Sequence, residues 1–162
     1  MEKGMSLRLQ TMKQFDRGEA DLRTYSPLSL AFLGDAVYSL LIRTLVLSEG
    51  NRPAGKLHRE TSEYVCASAQ AAIGDAILPL LTPEEERIYK RGRNANPSHH
   101  TRSATMEDYI KATALETLCG YLYLKDETER LLELLHEGIR IRSEAGQALI
   151  NRDPAADNKA DQ

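Results

Sequence analysis

The chain predicts an all-α fold, a single helical bundle, on three observations. Apolar residues recur at helical spacing in four stretches, from Pro27 to Leu47, Leu57 to Leu80, Tyr109 to Tyr123 and Leu131 to Ile141. No stretch of any length alternates apolar and polar residues with the period of a strand. Helix-start chemistry opens the first stretch at Ser26-Pro27 and marks a further helix at Thr82-Pro83, followed by three glutamates. A length of 162 residues, 41% of them apolar and 28% charged, suits one ordinary globular domain with one core.

Taken in order, residues 1–24 form an N-terminal extension in which Met5, Leu7, Leu9, Met12 and Phe15 predict one amphipathic helix. The main domain spans 25–150. Its first helix opens at Ser26-Pro27, runs to about Leu47 and stops at Glu49-Gly50-Asn51. Being apolar nearly all round, it is expected to be central and enclosed. After the turn Arg52-Pro53-Ala54-Gly55 a second periodic stretch follows, in which Gly74 marks either a break or a close helix contact. Thr82 caps the next helix, which ends in Arg87, Lys90, Arg91 and Arg93. Residues 94–105 read as a polar loop, Ser103 or Thr105 caps the following helix, and a last helix carries Leu131 to Ile141. The charged, small residues 151–162 read as a disordered tail.

Ser29, Asp35, Ser39 and Arg43 interrupt the longest apolar run, so no membrane span is expected, and the start lacks the apolar core of a signal peptide. A cytoplasmic protein follows as the default. Cys66 and Cys119 have no CxxC spacing and read as small core residues. A net charge of -3 does not by itself point to nucleic acid, so the distribution of charge matters more.

Two acids stand out. Asp35 is the only charged residue between Arg23 and Arg43, and its helical neighbours are Leu28, Ala31, Phe32, Tyr38 and Ile42, which predicts a place on an apolar stripe. A carboxylate there needs a counter-charge or a proton, and no Lys or Arg stands at helical spacing. Glu116 is again a lone acid in an apolar helical run. The pair suggests a shared hard cation such as Mg²⁺, which takes oxygen ligands and keeps several waters; the alternative is a pair of core acids bonded by hydroxyls such as Thr113, Tyr38 or Tyr123. Gly34 beside Asp35, and Gly120 one turn after Glu116, predict that the two acid-bearing helices cross closely there.

The second feature is basic. Arg87 to Arg102 holds five Lys or Arg residues, two His and no acid. Helix-dipole compensation accounts for Arg87 to Arg93; His99, His100 and Arg102 in the loop suggest a phosphate contact. Lys56, His58 and Arg59 make a smaller patch, also readable as a solvated helix start. No Walker loop, GxGxxG or GxSxG is present.

Phe32-Leu33-Gly34-Asp35-Ala36-Val37-Tyr38 resembles the signature helix of ribonuclease III domains, and Ala114-Leu115-Glu116-Thr117-Leu118-Cys119-Gly120-Tyr121 resembles their second acidic helix. The order, separation and short length, with Arg91-Gly92-Arg93-Asn94-Ala95 between them, resemble the Mini-ribonuclease III subfamily, which has the catalytic domain alone. The resemblance covers about Tyr25 to Ile139. It implies the ribonuclease III endonuclease-domain bundle and a homodimeric endonuclease that cuts double-stranded RNA. It further implies Mg²⁺, with Mn²⁺ as a substitute, and maturation of 23S ribosomal RNA precursor to 5′-phosphate and 3′-hydroxyl ends. A ribosomal protein that presents the substrate is a further expected partner, and a membrane is not. Asp35 and Glu116 match the metal-binding, catalytic acids. The family's two further acids fall at Ala31 and Thr113, which departs from a four-acid site. With no separate RNA-binding domain, substrate grip is expected from Arg91, Arg93, Asn94, His99 and Arg102, with Lys56 and His58. The rival expectation is a non-catalytic RNA-binding or ribosome-assembly protein on the same fold.

Overall fold

A computed structural model describes residues 4–95 and 105–150, with side chains as far as residue 146. The helices are α1 (Leu7–Gln14), α2 (Pro27–Ser48), α3 (Ala54–Val65), α4 (Ala67–Ile77), α5 (Pro83–Arg93), α6 (Met106–Leu124) and α7 (Thr128–Ile150). Single 3₁₀ turns lie at Leu22–Thr24 and Leu78–Leu80. No strand occurs among the described residues, so the all-helical expectation holds.

The predicted starts are real because each leaves orphan backbone donors to a side chain. Ser26 Oγ accepts from Ser29 N at 3.1 Å, and Thr105 Oγ1 from Asp108 N at 3.1 Å. Thr82 and Glu85 form a reciprocal capping box, and the buried Glu85 carboxylate is further held by Arg130 at 2.9 Å. The N-terminal residues are helical over Leu7–Gln14, and Arg8 ties that helix to Asp126 at the α6–α7 turn.

Two expectations change. The stretch from Leu57 to Leu80 breaks at Cys66, whose extended backbone (φ -65°, ψ 153°) separates α3 from α4. Gly74 is instead the close contact, since a Cβ there would lie 2.6 Å from Tyr89 Oη. The enclosed central helix is α6, not α2. Ala112 to Leu122 is buried all round except at Glu116, with α2, α4, α5 and α7 packed about it. α2 packs along α6 through Leu30, Gly34, Val37 and Tyr38, yet leaves Leu28, Phe32, Leu40 and Leu47 open. By length and composition α2 is also apolar enough to cross a membrane, more so than the interrupting polar residues suggested. Here it is one wall of the bundle.

Candidate active site

The crossing of α2 and α6 is where the acids meet. A Cβ on Gly34 would lie 1.7 Å from the Glu116 carbonyl oxygen and 2.7 Å from Gly120 N; one on Gly120 would lie 2.0 Å from the Leu30 carbonyl oxygen. The predicted close approach is therefore backbone on backbone. It places Asp35, next to Gly34, and Glu116, one turn before Gly120, on one cleft of about 480 Å³. Cys66, Gln70, Tyr109 and Thr113 also line it.

The two acids sit in different surroundings. Asp35 is exposed, not sunk in an apolar stripe. Its apolar neighbour Phe32 is itself 84% exposed, so apolar company in the sequence did not mean burial. Glu116 is partly buried; desolvation, and then the Asp35 charge, push its carboxyl up to about 8. Two of the hydroxyls that could have satisfied it are engaged elsewhere. Tyr38 Oη donates to the Tyr64 carbonyl at 2.6 Å, and Thr113 Oγ1 to the Tyr109 carbonyl at 3.0 Å. The polar side chain that α4 brings to the cleft beside Glu116 is Gln70, whose Nε2 donates to the Val65 carbonyl at 3.0 Å. Sequence reasoning missed Gln70, because a glutamine at an inward helical position has no signal beyond its polarity among Ala69, Ala71 and Ile73.

The donor set fits a hydrated hard cation. A carboxyl whose pKa is raised by burial and by a second carboxylate is one that a divalent ion stabilises in its charged form. Among the described residues no three His, Cys, Asp or Glu side chains cluster as metal ligands, so the protein offers two carboxylates. Ala31 is buried and oxygen-free, and the Thr113 hydroxyl is bound to its own helix. Mg²⁺, which commonly keeps several waters, accepts so small a set.

The basic residues lie elsewhere. Gly92 packs α5 against α6, where a Cβ would lie 2.4 Å from Thr117 Oγ1, and the end of α5 then leaves Arg93 and Asn94 exposed and Arg91 half-buried. Neither arginine has an ion pair among the described residues. Lys56 and His58 are exposed near the start of α3, away from the acidic cleft; Lys56 lies 4.0 Å from Glu60, and His58 shares a groove with Arg43. His99, His100 and Arg102 lie outside the described residues, as does the tail 151–162. Cys119 is buried as expected, whereas Cys66 is exposed at the α3–α4 break, because the extended backbone there turns it away from the core.

An all-helical bundle whose two acids are brought together by paired glycines defines a class: the chain belongs to the ribonuclease III domain family, whose domain matches residues 28–127. Within that family it is similar to the Mini-ribonuclease 3 proteins. That of Thermoanaerobacter sp. (strain X514) is 45% identical over 119 residues, 74% of this chain and 84% of the relative. That of Clostridium tetani (strain Massachusetts / E88) is 39% identical over 141 residues, 84% of this chain and 93% of the relative. A crystal structure of a Fusobacterium nucleatum protein superposes with a TM-score of 0.67 at 36% identity, covering 73% of this chain and 96% of the other.

Proposed function

We propose that this protein is a divalent-metal-dependent endoribonuclease of the cytoplasm that cleaves double-stranded RNA as a homodimer, with Asp35 and Glu116 as the catalytic acids of each subunit. The observation that carries the reading is the Asp35–Glu116 cleft across the Gly34–Gly120 crossing, in a chain of this family. Asp35 and Glu116 would hold a hydrated Mg²⁺, or Mn²⁺ in its place, which supplies a polarised water and positive charge to the phosphate. Phosphodiester hydrolysis adds water to phosphorus and releases the 3′ oxygen, which gives 5′-phosphate and 3′-hydroxyl ends. Glu116 must lose its proton to serve as a ligand, so cation binding strengthens as pH rises towards about 8.

Substrate grip falls to the basic end of α5, where Arg91, Arg93 and Asn94 leave the fold, joined by His99 and Arg102 in the following segment. Lys56 and His58 form a second patch on α3. Duplex RNA is recognised chiefly through its shape, phosphates and 2′-hydroxyls, which side chains of these types contact. The precursor of 23S ribosomal RNA, presented by a ribosomal protein, is the proposed substrate, by likeness to the Mini-ribonuclease family.

Dimerisation is supported by α2. Leu28, Phe32, Ala36, Leu40 and Leu47 follow helical spacing on one face, and the four large ones are 40%, 84%, 56% and 57% exposed. Such an apolar face, interrupted by Arg43, is costly to leave in water and can meet a second copy across a two-fold axis. Asp35 lies at its edge, so a second copy seated there would border the cleft.

The test is cleavage of a long double-stranded RNA, with single-stranded RNA and double-stranded DNA as controls, with and without Mg²⁺, by the wild type and Asp35→Asn. Mg²⁺-dependent cutting of the RNA duplex alone, lost in the variant, is expected. Binding without cutting, even of a natural ribosomal precursor with its bound protein, would instead favour the non-catalytic RNA-binding reading that Ala31 and Thr113 allow.

A further inference from the structure

Gln70 is 3% exposed, one of few buried polar side chains among the described residues. It sits one turn into α4, just past the break at Cys66. That break leaves carbonyls at the end of α3 without partners along the helix, and Gln70 Nε2 donates to one of them, Val65 O, at 3.0 Å. The same side chain lines the acidic cleft beside Asp35 and Glu116. Its Oε1 is buried without a donor; it is the only such atom on the described residues of the cleft.

The amide orientation follows from these neighbours. Val65 O is an acceptor, so the NH₂ end faces it, and a reversed amide would set oxygen against oxygen. A buried polar atom without a partner is uncommon in a native fold and needs an account. With Ala31 and Thr113 where oxygen ligands could have stood, Gln70 is the polar group that a third helix brings to the site.

We propose that Gln70 is the positioning residue of this site: its amide N–H groups, anchored on the Val65 carbonyl, hold the Glu116 carboxylate towards Asp35, and its Oε1 accepts from water in the loaded cleft. The proposal rests on the metal-dependent reading above. Gln70 would not be a cation ligand itself. It acts through Glu116, and fixes in advance the direction of that carboxylate in the cleft.

The experiment is a thermal-unfolding titration of the full chain with Mg²⁺ at constant pH 8, beside single-turnover cleavage of duplex RNA. Gln70→Met keeps length and volume and removes both hydrogen-bonding ends. The Mg²⁺ concentration giving half of the thermal stabilisation is expected to rise about tenfold, as for partners that orient metal ligands, with RNA affinity unchanged. A purely structural role lowers the midpoint in EDTA and leaves the half-saturating Mg²⁺ at the wild-type value, and that result overturns the proposal. Gln70→Asn, which keeps the amide one methylene short of bridging both acceptors, is read in the same way should the Met variant fail to fold. A wild-type midpoint that ignores Mg²⁺ would overturn the metal reading and this proposal together; a wild-type midpoint that rises while both variants titrate normally overturns the positioning role alone.

Discussion

Replacing Gly34 with Ala adds one methyl group at the most constrained point of the fold, and two effects of opposite sign compete there. Gly in a helix interior is less favourable than Ala by about 1 kcal/mol, so propensity alone predicts a more stable protein. The methyl would lie 1.7 Å from the Glu116 carbonyl oxygen, 2.6 Å from its carbon and 2.7 Å from Gly120 N, where ordinary contact begins near 3.4 Å. All three neighbours are backbone of the buried helix α6, so no side chain can swing away; the helices must part by roughly 1.5 Å or more along a close-packed contact. Overpacking of this kind costs about 1–3 kcal/mol, and with backbone on both sides the upper end applies. The balance is a loss of about 2 kcal/mol, which for a domain of this size lowers the midpoint of thermal unfolding by roughly 4–8 °C. Because the displaced atom is the carbonyl of Glu116, cleavage should fall by about a hundredfold even where the protein is still folded. Gly146→Ala is the control: a Cβ there meets nothing within 4 Å, so the same change should leave stability equal or raise it by up to about 1 kcal/mol. A Gly34→Ala protein as stable as the wild type, cleaving at the wild-type rate, would refute the backbone-on-backbone crossing.

Three further outcomes are expected. Glu116 is raised from 4.5 to about 8, so between those values the folded protein holds more protons than the unfolded chain. Stability in EDTA should therefore be full below pH 4.5, fall as pH rises and level off above about 8. Glu116→Gln should lose that fall, which calorimetry across the pH range would check. Arg91→Ala with Arg93→Ala should weaken duplex binding and reduce the slope of log affinity against log salt by about one for each residue, with bound-substrate cleavage little changed; an unaltered slope would remove the end of α5 from the RNA interface. Phe32→Lys should yield a monomer in sedimentation velocity while the helical content is kept, and a dimer of wild-type affinity would move the subunit contact off α2.

The helices were legible because their starts carry local chemistry. Ser26, Thr82 and Thr105 each cap a backbone amide that would otherwise go unpaired, and such signals need no knowledge of the tertiary fold. Gly34 and Gly120 were legible for a related reason: a glycine within a helix costs stability, so two of them beside two lone acids announce a close approach. What one chain's pattern could not disclose is which apolar face meets another. α2 and α6 are both apolar nearly all round, yet α6 is sheathed by four helices and α2 exposes Phe32, so Asp35 faces water at the edge of the cleft. Gln70 escaped for the opposite reason. It comes to the cleft beside Glu116 where the chain breaks at Cys66 and α4 packs on α6, a consequence of tertiary packing that leaves no periodic trace.

On the metal-dependent reading proposed above, the same asymmetry accounts for a site of two acids, Asp35 and Glu116. Asp35 keeps its solvent and Glu116 loses much of it, and the Glu116 carboxyl has a raised pKa that a cation or a proton relieves. Burying both would have left a pair too costly to ionise, and exposing both would have bound a hydrated ion weakly. Placing them on opposite sides of a glycine crossing gives one of each. That arrangement ties the site to the packing of α2 on α6, so the substitutions that most disturb the cleft are those that separate the two helices.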